Sequence, residues 1–525
     1  MKTESPMNLT TSFDSQSGWD EFREVAHDSV RKTSDISTLP LCVDLDGALV
    51  KSDTVADSVL ALARQNPMAL FATLSQIFRG RAIFKQQLSK VVHLDVASLP
   101  YNQPLLEYLF EQFADGRPIF LATTDRILAE RVAAHLGIFT EVAAFDSAQN
   151  LTAEEKYDAM RRQFGETFAY IGSTAQDLFA LANCKQPMVA NPTEKLLAKL
   201  RSAGLEPTRL FLDIAPRLQV WIRAMRLHQW AKNMLIFLPL LLAHPWVLGG
   251  KTAVSIGLVA AAAIAFFSFG FCASATYILN DLLDVEADRR HPKKRHRPFA
   301  AGDLLARSGV LAILLLLACS LVLALALPRI VIAFGASLDN PFGLLAWLMI
   351  YAVSTSAYSL WLKRIPLVDV VVLSGLYTVR IIAGSVATGV SISTWLAGFS
   401  VFFFLALAYV KRFAELQSLS LRGAKPANGR GYLIADIEQV RSLGTASAFA
   451  SVVVLTLYIS NLNTNLYHHP GRLWLLLPLF LLWISRLWLL AGRGTLNEDP
   501  VIYAVTDKRS LLQGILVLGV VLSAL

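Results

Sequence analysis

Long apolar runs in the second part of the chain constrain its fold more than any other feature. From Leu235 onward, apolar stretches recur that approach the roughly 20 residues a helix needs to span a bilayer. Of the 525 residues, 54% are hydrophobic and 17% are charged, which is little charge for a soluble enzyme. The sequence therefore predicts an all-α polytopic membrane domain over 234–525. Nine crossings are predicted, near 234–248, 253–279, 309–328, 343–361, 367–389, 394–411, 441–461, 472–490 and 511–525.

The distribution of basic residues predicts the orientation of this domain. Most Lys and Arg fall in the predicted loops 280–308, 362–366, 412–440 and 491–510. By the positive-inside rule these loops are cytoplasmic. We expect the membrane to be of the bacterial inner-membrane type. The net charge of +8 is typical of cytoplasmic loops that lie near anionic lipid, and we do not interpret it as a sign of nucleic-acid binding. The first residues contain no apolar core of signal-peptide type, so the N-terminal domain is also expected in the cytoplasm.

For the preceding part of the chain, the sequence predicts a flexible segment over 1–37 and a soluble α/β domain over 38–200. Short apolar runs alternate with amphipathic helical stretches such as "RILAERVAAHLG". This alternation predicts a Rossmann-like parallel sheet covered by helices. The predicted strands lie in "LPLCVDLDG", "RPIFLATTD", "FAYIGS" and "QPMVANP".

Asp44 and Asp46 follow the first predicted strand, and the carboxyl ends of parallel strands are where such sheets carry their sites. Two carboxylates at this spacing, followed by Gly47, suit phosphoryl transfer, since one attacks phosphorus while the other moves a proton. The alternative is that Asp-x-Asp-Gly is only a turn after a strand.

Over residues 38–200 the wider spacing resembles the haloacid dehalogenase superfamily of phosphatases. The resemblance implies Asp44 as nucleophile, Asp46 as acid/base, Mg²⁺ as cofactor and a helical cap near 51–101. Two positions depart from the family pattern: Ser173 stands in place of a metal-binding Asp, and Ala48 in place of Thr. A weak phosphatase, or a degenerate domain that binds or regulates, is therefore expected. The phosphate-binding and remaining metal-binding residues implied are Thr123, Lys156 and Asp177.

Residues 201–233 form a linker with an amphipathic segment. Leu218, Trp221, Ile222 and Met225 recur at helical spacing, with arginines between them. Such a helix is typical of one lying along the bilayer surface. A helix packed on the soluble domain is the alternative.

An acidic cluster begins where the second predicted crossing ends, in "NDLLDVEADRRHPKKRHRPFAAG". If the helix continues, Asp281, Asp284 and Asp288 share one face, flanked by Asn280. Three neighbouring carboxylates repel one another unless a cation lies between them, and oxygen ligands suit Mg²⁺. We therefore predict a diphosphate site here rather than a solvated loop. The basic residues expected to bind the phosphates are Lys294, Arg295 and Arg297.

Further ionisable residues interrupt the later apolar runs. Asp369 and Arg380 fall inside a predicted crossing, where such groups are costly and usually functional. Lys363 is a further candidate for substrate binding, and ordinary interfacial snorkelling is the alternative explanation for its position. The other candidate substrate-binding residues are Tyr358, Lys411 and Arg412, the last two in "KRFAEL" with Glu415. Weaker signals come from Arg430, Glu498 and Asp499.

Residues 220–525 resemble the UbiA superfamily of intramembrane prenyltransferases. The resemblance implies nine transmembrane helices, and Mg²⁺ held with a diphosphate by the acidic motifs. Asn280, Asp281, Asp284 and Asp288 match the first motif completely. In the second motif Asp369 is present, but Leu373 stands where the paired acid would be.

The segments "RLHQWAKN", "YSLWLK", "VRIIAG" and "KRFAEL" resemble the decaprenyl-phosphate phosphoribosyltransferase branch of that superfamily. This likeness implies phosphoribosyl diphosphate as donor, a polyprenyl phosphate as acceptor and a role in cell-wall precursor synthesis. The fused phosphatase-like domain would then remove the 5-phosphate of the product. Two alternatives stay open. One is an aromatic prenyltransferase with a prenyl diphosphate donor, and the other is a protein that binds or transports lipid phosphates.

Overall fold

The structure is a computed structural model that describes residues 39–74, 84, 87–88, 90–123, 125–144, 153–165, 167–243, 252–335, 337–421, 431–461, 467–496 and 499–525. The predicted segment 1–37 lies outside these residues, as do Arg430 and Glu498. The chain divides into two compact units. The first unit comprises 1–224 and 279–311, and the second comprises 225–278 and 312–525.

The first unit contains a six-stranded parallel sheet with the order β3-β2-β1-β4-β5-β6. The four predicted strands are confirmed as β1, β2, β4 and β5. Residues Leu41 to Val43 of β1 are completely buried, as expected of a central strand covered on both faces. The strands are β1 Leu41–Asp44, β2 Ile119–Thr123, β3 Glu141–Ala144, β4 Ala169–Gly172, β5 Gln186–Ala190 and β6 Arg209–Phe211.

Helices with local start and stop signals surround this sheet. Asp125 caps the predicted helix by accepting a hydrogen bond from the Leu128 N–H, and that helix ends at Gly137, whose φ is +68°. The helices are α1 Thr54–Gln65, α2 Pro67–Leu74, α3 Gln103–Ala114, α4 Arg126–Leu136, α5 Ala153–Phe164, α6 Leu178–Asn183, α7 Glu194–Ser202 and α8 Arg217–Met225. Helices α1 and α2 fall in the predicted cap.

The sheet continues past residue 200, the predicted end of the α/β domain. Strand β6 pairs with β5, with Leu210 opposite Val189. The sequence does not indicate this strand, because three residues leave almost no periodic signal. In α8, the apolar side chains of Leu218 and Ile222 are 74% and 41% exposed. An exposed apolar edge suits a helix on a bilayer surface, and that placement stays a prediction.

Long apolar helices make up most of the rest of the chain. Within the described residues, seven helices are long and apolar enough to cross a membrane: α10 and α12 to α17. The first and last predicted crossings coincide instead with α9 and α19, of 6 and 17 residues. The helices are α9 Leu238–Ala243, α10 Thr252–Leu283, α11 Val285–Arg289, α12 Ala306–Ala333, α13 Gly343–Leu360, α14 Val368–Thr388, α15 Thr394–Leu421, α16 Ile437–Ser460, α17 Leu476–Gly492, α18 Pro500–Thr506 and α19 Lys508–Ala524.

Candidate functional site

The acidic segment keeps its helical hydrogen bonds through a local break. Helix α10 ends at Leu283 and α11 begins at Val285. Between them the Asp284 N–H donates to the Asn280 carbonyl at 2.9 Å, and the Asp288 N–H donates to the Asp284 carbonyl at 2.8 Å. The predicted continuation of the helix is therefore correct, with a single irregular residue at Asp284.

Two of the three predicted carboxylates share one cation. Arg297 Nη1 lies 3.2 Å from Asp281 and 2.7 Å from Asp288, and both acids are buried. Asp284 instead pairs with Arg64 of α1, at 3.2 Å. Burial raises the pKa of Asp288, and the charge of Arg297 opposes that shift. The shared face thus brings Asp281 and Asp288 together, while Asp284 is turned to a different partner.

The chemistry of this donor set fits a divalent cation. The side chains offer hard carboxylate oxygens, and the Arg297 guanidinium already lies where positive charge is needed between two of them. Within the described ranges, no three acidic, histidine or cysteine side chains are close enough to form a ready-made metal centre. Lys294 and Arg295 lie on the adjacent 3₁₀ turn Lys294–His296, partly exposed.

A second polar cluster lies inside the second unit, around Asp499. Lys232 Nζ and Lys411 Nζ both contact Asp499 Oδ2, at 2.8 and 2.7 Å, and the Tyr377 hydroxyl donates to Oδ1 at 3.1 Å. Burial, assisted by the like charge of Lys411, lowers the pKa of Lys232 to about 8. Burial opposes the ionisation of Asp499, yet the two ammonium groups hold its pKa well below the usual range.

Arg380 extends this cluster and is held on two sides. Its Nε donates to Asn233 Oδ1 at 2.8 Å, and its Nη2 donates to the Tyr351 hydroxyl at 2.9 Å. Asn233 Nδ2 is buried and has no hydrogen-bond partner among the described residues. The 3₁₀ segment Leu227–Phe237 carries Lys232 and Asn233, and it packs closely on α14 at Gly384. A Cβ at Gly384 would lie 2.0 Å from the Ile236 carbonyl oxygen, so only glycine permits this approach.

The remaining predicted residues of the second unit form a separate ion pair. Asp369 is fully buried, lies 2.8 Å from Arg412 Nε and accepts a 2.6 Å hydrogen bond from the Tyr432 hydroxyl. Arg412 also pairs with Glu415 and lies 3.5 Å from the Tyr358 hydroxyl. These contacts give Asp369 a protein counter-charge between α14 and α15. Lys363 lies on the 3₁₀ turn Leu362–Arg364 that connects α13 and α14.

The first unit brings several of its predicted residues together where the strand order reverses, between β1 and β4. Lys156 Nζ lies 3.4 Å from Asp44 Oδ1 and 3.6 Å from Asp177 Oδ1. Burial raises the pKa of Asp44 to about 7, against the opposing charge of Lys156. The Tyr170 hydroxyl donates to Asp177 at 2.9 Å. The carboxylates expected to hold Mg²⁺ thus already accommodate a cation between them.

Asp46 and Thr123 occupy neighbouring positions at the same edge of the sheet. Asp46 accepts a 2.7 Å hydrogen bond from the Thr54 hydroxyl at the start of α1, and Thr123 ends β2 as a buried residue. The Ser173 N–H donates to Asp177 at 3.1 Å. Gly47, at φ +84°, would place a Cβ 2.5 Å from Ser173 Oγ. Ser173 therefore packs tightly in the site but contributes no charge to it.

Several cluster residues were missed by the sequence analysis: Lys232, Asn233, Tyr351, Tyr377 and Arg64. Lys232 and Asn233 stand in "QWAKN", a stretch that indicates a family resemblance but not a buried cluster. Asp499 gives only a weak signal in the sequence, as a loop residue. Their common signal is a polar side chain beside an apolar run, which also describes many interfacial residues.

Comparison with known proteins places the chain in a family. The model of the UbiA prenyltransferase family matches residues 236–506. An uncharacterized protein of Sinorhizobium fredii, y4nM, is 36% identical over 482 residues, which is 91% of this chain and 90% of that protein. A protein of Corynebacterium glutamicum named decaprenyl-phosphate phosphoribosyltransferase is 34% identical over 206 residues, which is 39% of this chain and 57% of that protein.

Among solved structures, a UbiA homolog from Archaeoglobus fulgidus bound to GPP and Mg²⁺ aligns with 57% of this chain and 99% of that chain, at 15% identity and a TM-score of 0.42. The assignment rests on the family model, which matches just over half of the chain. Together with the seven apolar helices, this match identifies a multi-pass membrane protein. The chain belongs to the UbiA prenyltransferase family.

Proposed function

We propose that the protein transfers a 5-phosphoribosyl group from phosphoribosyl diphosphate to a polyprenyl phosphate. An oxygen of the lipid phosphate forms a bond to the anomeric carbon of ribose, and the bond from that carbon to the diphosphate breaks. The products are a polyprenyl-phosphoryl-ribose 5-phosphate and diphosphate. Support comes from membership of the UbiA family and from the Corynebacterium relative, whose name states this class of substrates.

The acidic segment supplies the donor site in this proposal. Asp281, Asp284 and Asp288 would hold Mg²⁺, which when bound supplies positive charge to the departing diphosphate. Arg297 neutralises two of these acids in the structure and would bind the donor's phosphate oxygens once that charge is supplied. Lys294 and Arg295 extend the same basic run.

The excess of cations over carboxylates around Asp499 is the observation that carries the choice of acceptor. Lys232 and Lys411 share one contacting carboxylate, that of Asp499, and the buried Arg380 is hydrogen-bonded to the neutral side chains of Asn233 and Tyr351. Buried charges need counter-ions, and the unpartnered Asn233 amide needs an acceptor oxygen. A phosphate monoester satisfies both needs. An aromatic acceptor, as in the alternative prenyltransferase, would bring no negative charge to these cations beyond that of Asp499.

We further propose that the first unit removes the 5-phosphate from the product. Asp44, Asp46, Thr123 and Lys156 lie at the carboxyl edge of the sheet, and this placement supports the resemblance to phosphatases of the haloacid dehalogenase type. With Ser173 in place of an acid, we expect this hydrolysis to be slow. We place both reactions at the cytoplasmic face of a bacterial inner membrane, as part of cell-wall precursor synthesis.

A doubly labelled donor tests both steps. The purified protein is incubated with polyprenyl phosphate, Mg²⁺ and phosphoribosyl diphosphate that carries ¹⁴C in ribose and ³²P at the 5-position, and the lipid fraction is counted. We expect ¹⁴C in the lipid, lost in Asp284→Asn, and gradual loss of ³²P from that lipid, stopped in Asp44→Asn.

The absence of ¹⁴C-labelled lipid would refute phosphoribosyl transfer. Prenyl transfer from labelled prenyl diphosphates would then support the aromatic alternative. Uptake of labelled lipid phosphate into vesicles with no new product would support a transporter.

A further inference from the structure

The N-terminal domain packs directly on the acidic segment within the first unit. Arg289 of α11 lies 2.8 Å from Asp57 of α1, and both side chains are buried. Ser52 Oγ donates to the same carboxylate at 2.6 Å and accepts from Arg289 Nη2 at 3.1 Å. Arg289 Nε donates to the Ala300 carbonyl at 3.1 Å. This closed network fixes α1 against the segment that carries the predicted donor site.

The fixed helix presents an arginine to the middle carboxylate of the motif. Arg64 stands seven residues after Asp57 and therefore lies on the same face of α1. Its Nη2 lies 3.2 Å from Asp284 Oδ1, with the two side chains 30% and 24% exposed. Such a partly exposed pair is weak, so a competing cation or anion displaces either partner easily.

A cavity lies beside this pair. Its lining includes Arg64, Asp284, Glu286 and Arg290. An arginine is suited to such a place, because its planar guanidinium matches the oxygens of a phosphate in bidentate geometry. The Asp57–Arg289 network keeps this guanidinium within reach of the motif whichever partner it binds.

We propose that Arg64 is a donor-binding residue of the transferase, contributed by the N-terminal domain. It pairs with Asp284 in the absence of substrate, and it binds a phosphate oxygen of the donor when a divalent cation takes that carboxylate. The identity of the ligand as the donor's diphosphate rests on the proposed function. The contact between Arg64 and Asp284 does not.

The test measures two binding reactions in the full-length protein, neither of which requires turnover. Free Mn²⁺ is followed by electron paramagnetic resonance, and binding of ³²P-labelled inorganic diphosphate in the presence of Mn²⁺ is followed by equilibrium dialysis. In Arg64→Ala we expect Mn²⁺ alone to bind about two- to fivefold more tightly, because Asp284 loses its competing cation. Diphosphate should bind about tenfold or more weakly, because a charge-assisted hydrogen bond is lost.

The opposite changes expected in the affinities for Mn²⁺ and for diphosphate distinguish this role from a structural one. If Arg64 only supported the fold, Arg64→Ala would weaken both ligands, and that result would overturn the proposal, as would unchanged diphosphate binding. Arg64→Lys keeps the charge and should restore part of the diphosphate affinity. The matched control is Arg126→Ala on α4, whose exposed pair with Glu130 should affect neither ligand.

The experiments distinguish failure of the proposed function from failure of the role assigned to Arg64. A wild-type protein that makes no labelled lipid but shows the two opposite shifts would retain Arg64 as a diphosphate ligand and lose the phosphoribosyl reaction. A protein that makes the lipid without the shifts would retain the reaction and lose the role of Arg64.

Discussion

Breaking the buried pair between Asp57 and Arg289 should loosen the contact between α1 and α11 severely. The two charged groups are 2.8 Å apart and their side chains are 6% and 4% exposed. Asp57→Ala leaves the guanidinium buried without its counter-charge, and removing one member of such a pair costs about 3–5 kcal/mol. At about 1.4 kcal/mol for each factor of ten, the local opening equilibrium should shift by roughly two to nearly four orders of magnitude.

Hydrogen exchange read by mass spectrometry measures this opening in the intact protein, peptide by peptide. Peptides that cover α1 and α11 should lose protection in Asp57→Ala, while peptides from α15 should not. Arg126→Ala is the matched control, because its pair with Glu130 is 71% and 56% exposed. Exposed pairs contribute about 1 kcal/mol or less, so the control should change exchange by less than about tenfold.

A double replacement provides the refuting result. Asp57→Leu combined with Arg289→Met removes both charges and fills similar volume, so most of the lost protection should return. A remainder of about 1 kcal/mol is expected, because the Ala300 carbonyl loses the hydrogen bond from Arg289 Nε. If Asp57→Ala behaves like the exposed control, or if the double variant is no better than the single one, the charge argument is wrong.

Three further predictions concern the two sites. Lys411→Met should raise the KM for polyprenyl phosphate about tenfold or more while leaving the KM for the donor unchanged, as measured in the labelled-lipid assay, because one charged contact is lost. The kcat/KM for the phosphorylated acceptor should fall as pH rises through about 8, because Lys232, which lies near Asp499, Lys411 and Arg380, loses its proton there. In Lys232→Arg this decline should move to higher pH, and an unchanged pH profile would contradict the assignment. Asp44→Asn should abolish release of the 5-phosphate with the yield of ¹⁴C-labelled lipid unchanged, and a parallel loss of both labels would contradict separate sites.

Much of the architecture was readable from the sequence because its signals are local. The four apolar runs became β1, β2, β4 and β5, and the amphipathic segment 126–136 became α4. The long apolar stretches became membrane-length helices for the same reason, since burial in lipid requires only local composition. β3 and β6 were missed because they are the edge strands of the sheet and begin with the exposed residues Glu141 and Arg209, so they lack the apolar run of a central strand.

The sequence by itself determined the composition of the donor motif: four polar residues at helical spacing, followed by a basic run. It could not determine how their charges pair. Only the tertiary structure shows that Asp281 and Asp288 pair with Arg297. It also shows that Asp284 pairs with Arg64, a residue 220 positions earlier in the chain. Likewise, Lys232, Lys411 and Asp499 lie far apart in sequence and meet only after folding. Periodicity reports which residues share a face of one element, whereas the partner of a buried charge depends on which elements pack together, and that depends on the fold as a whole.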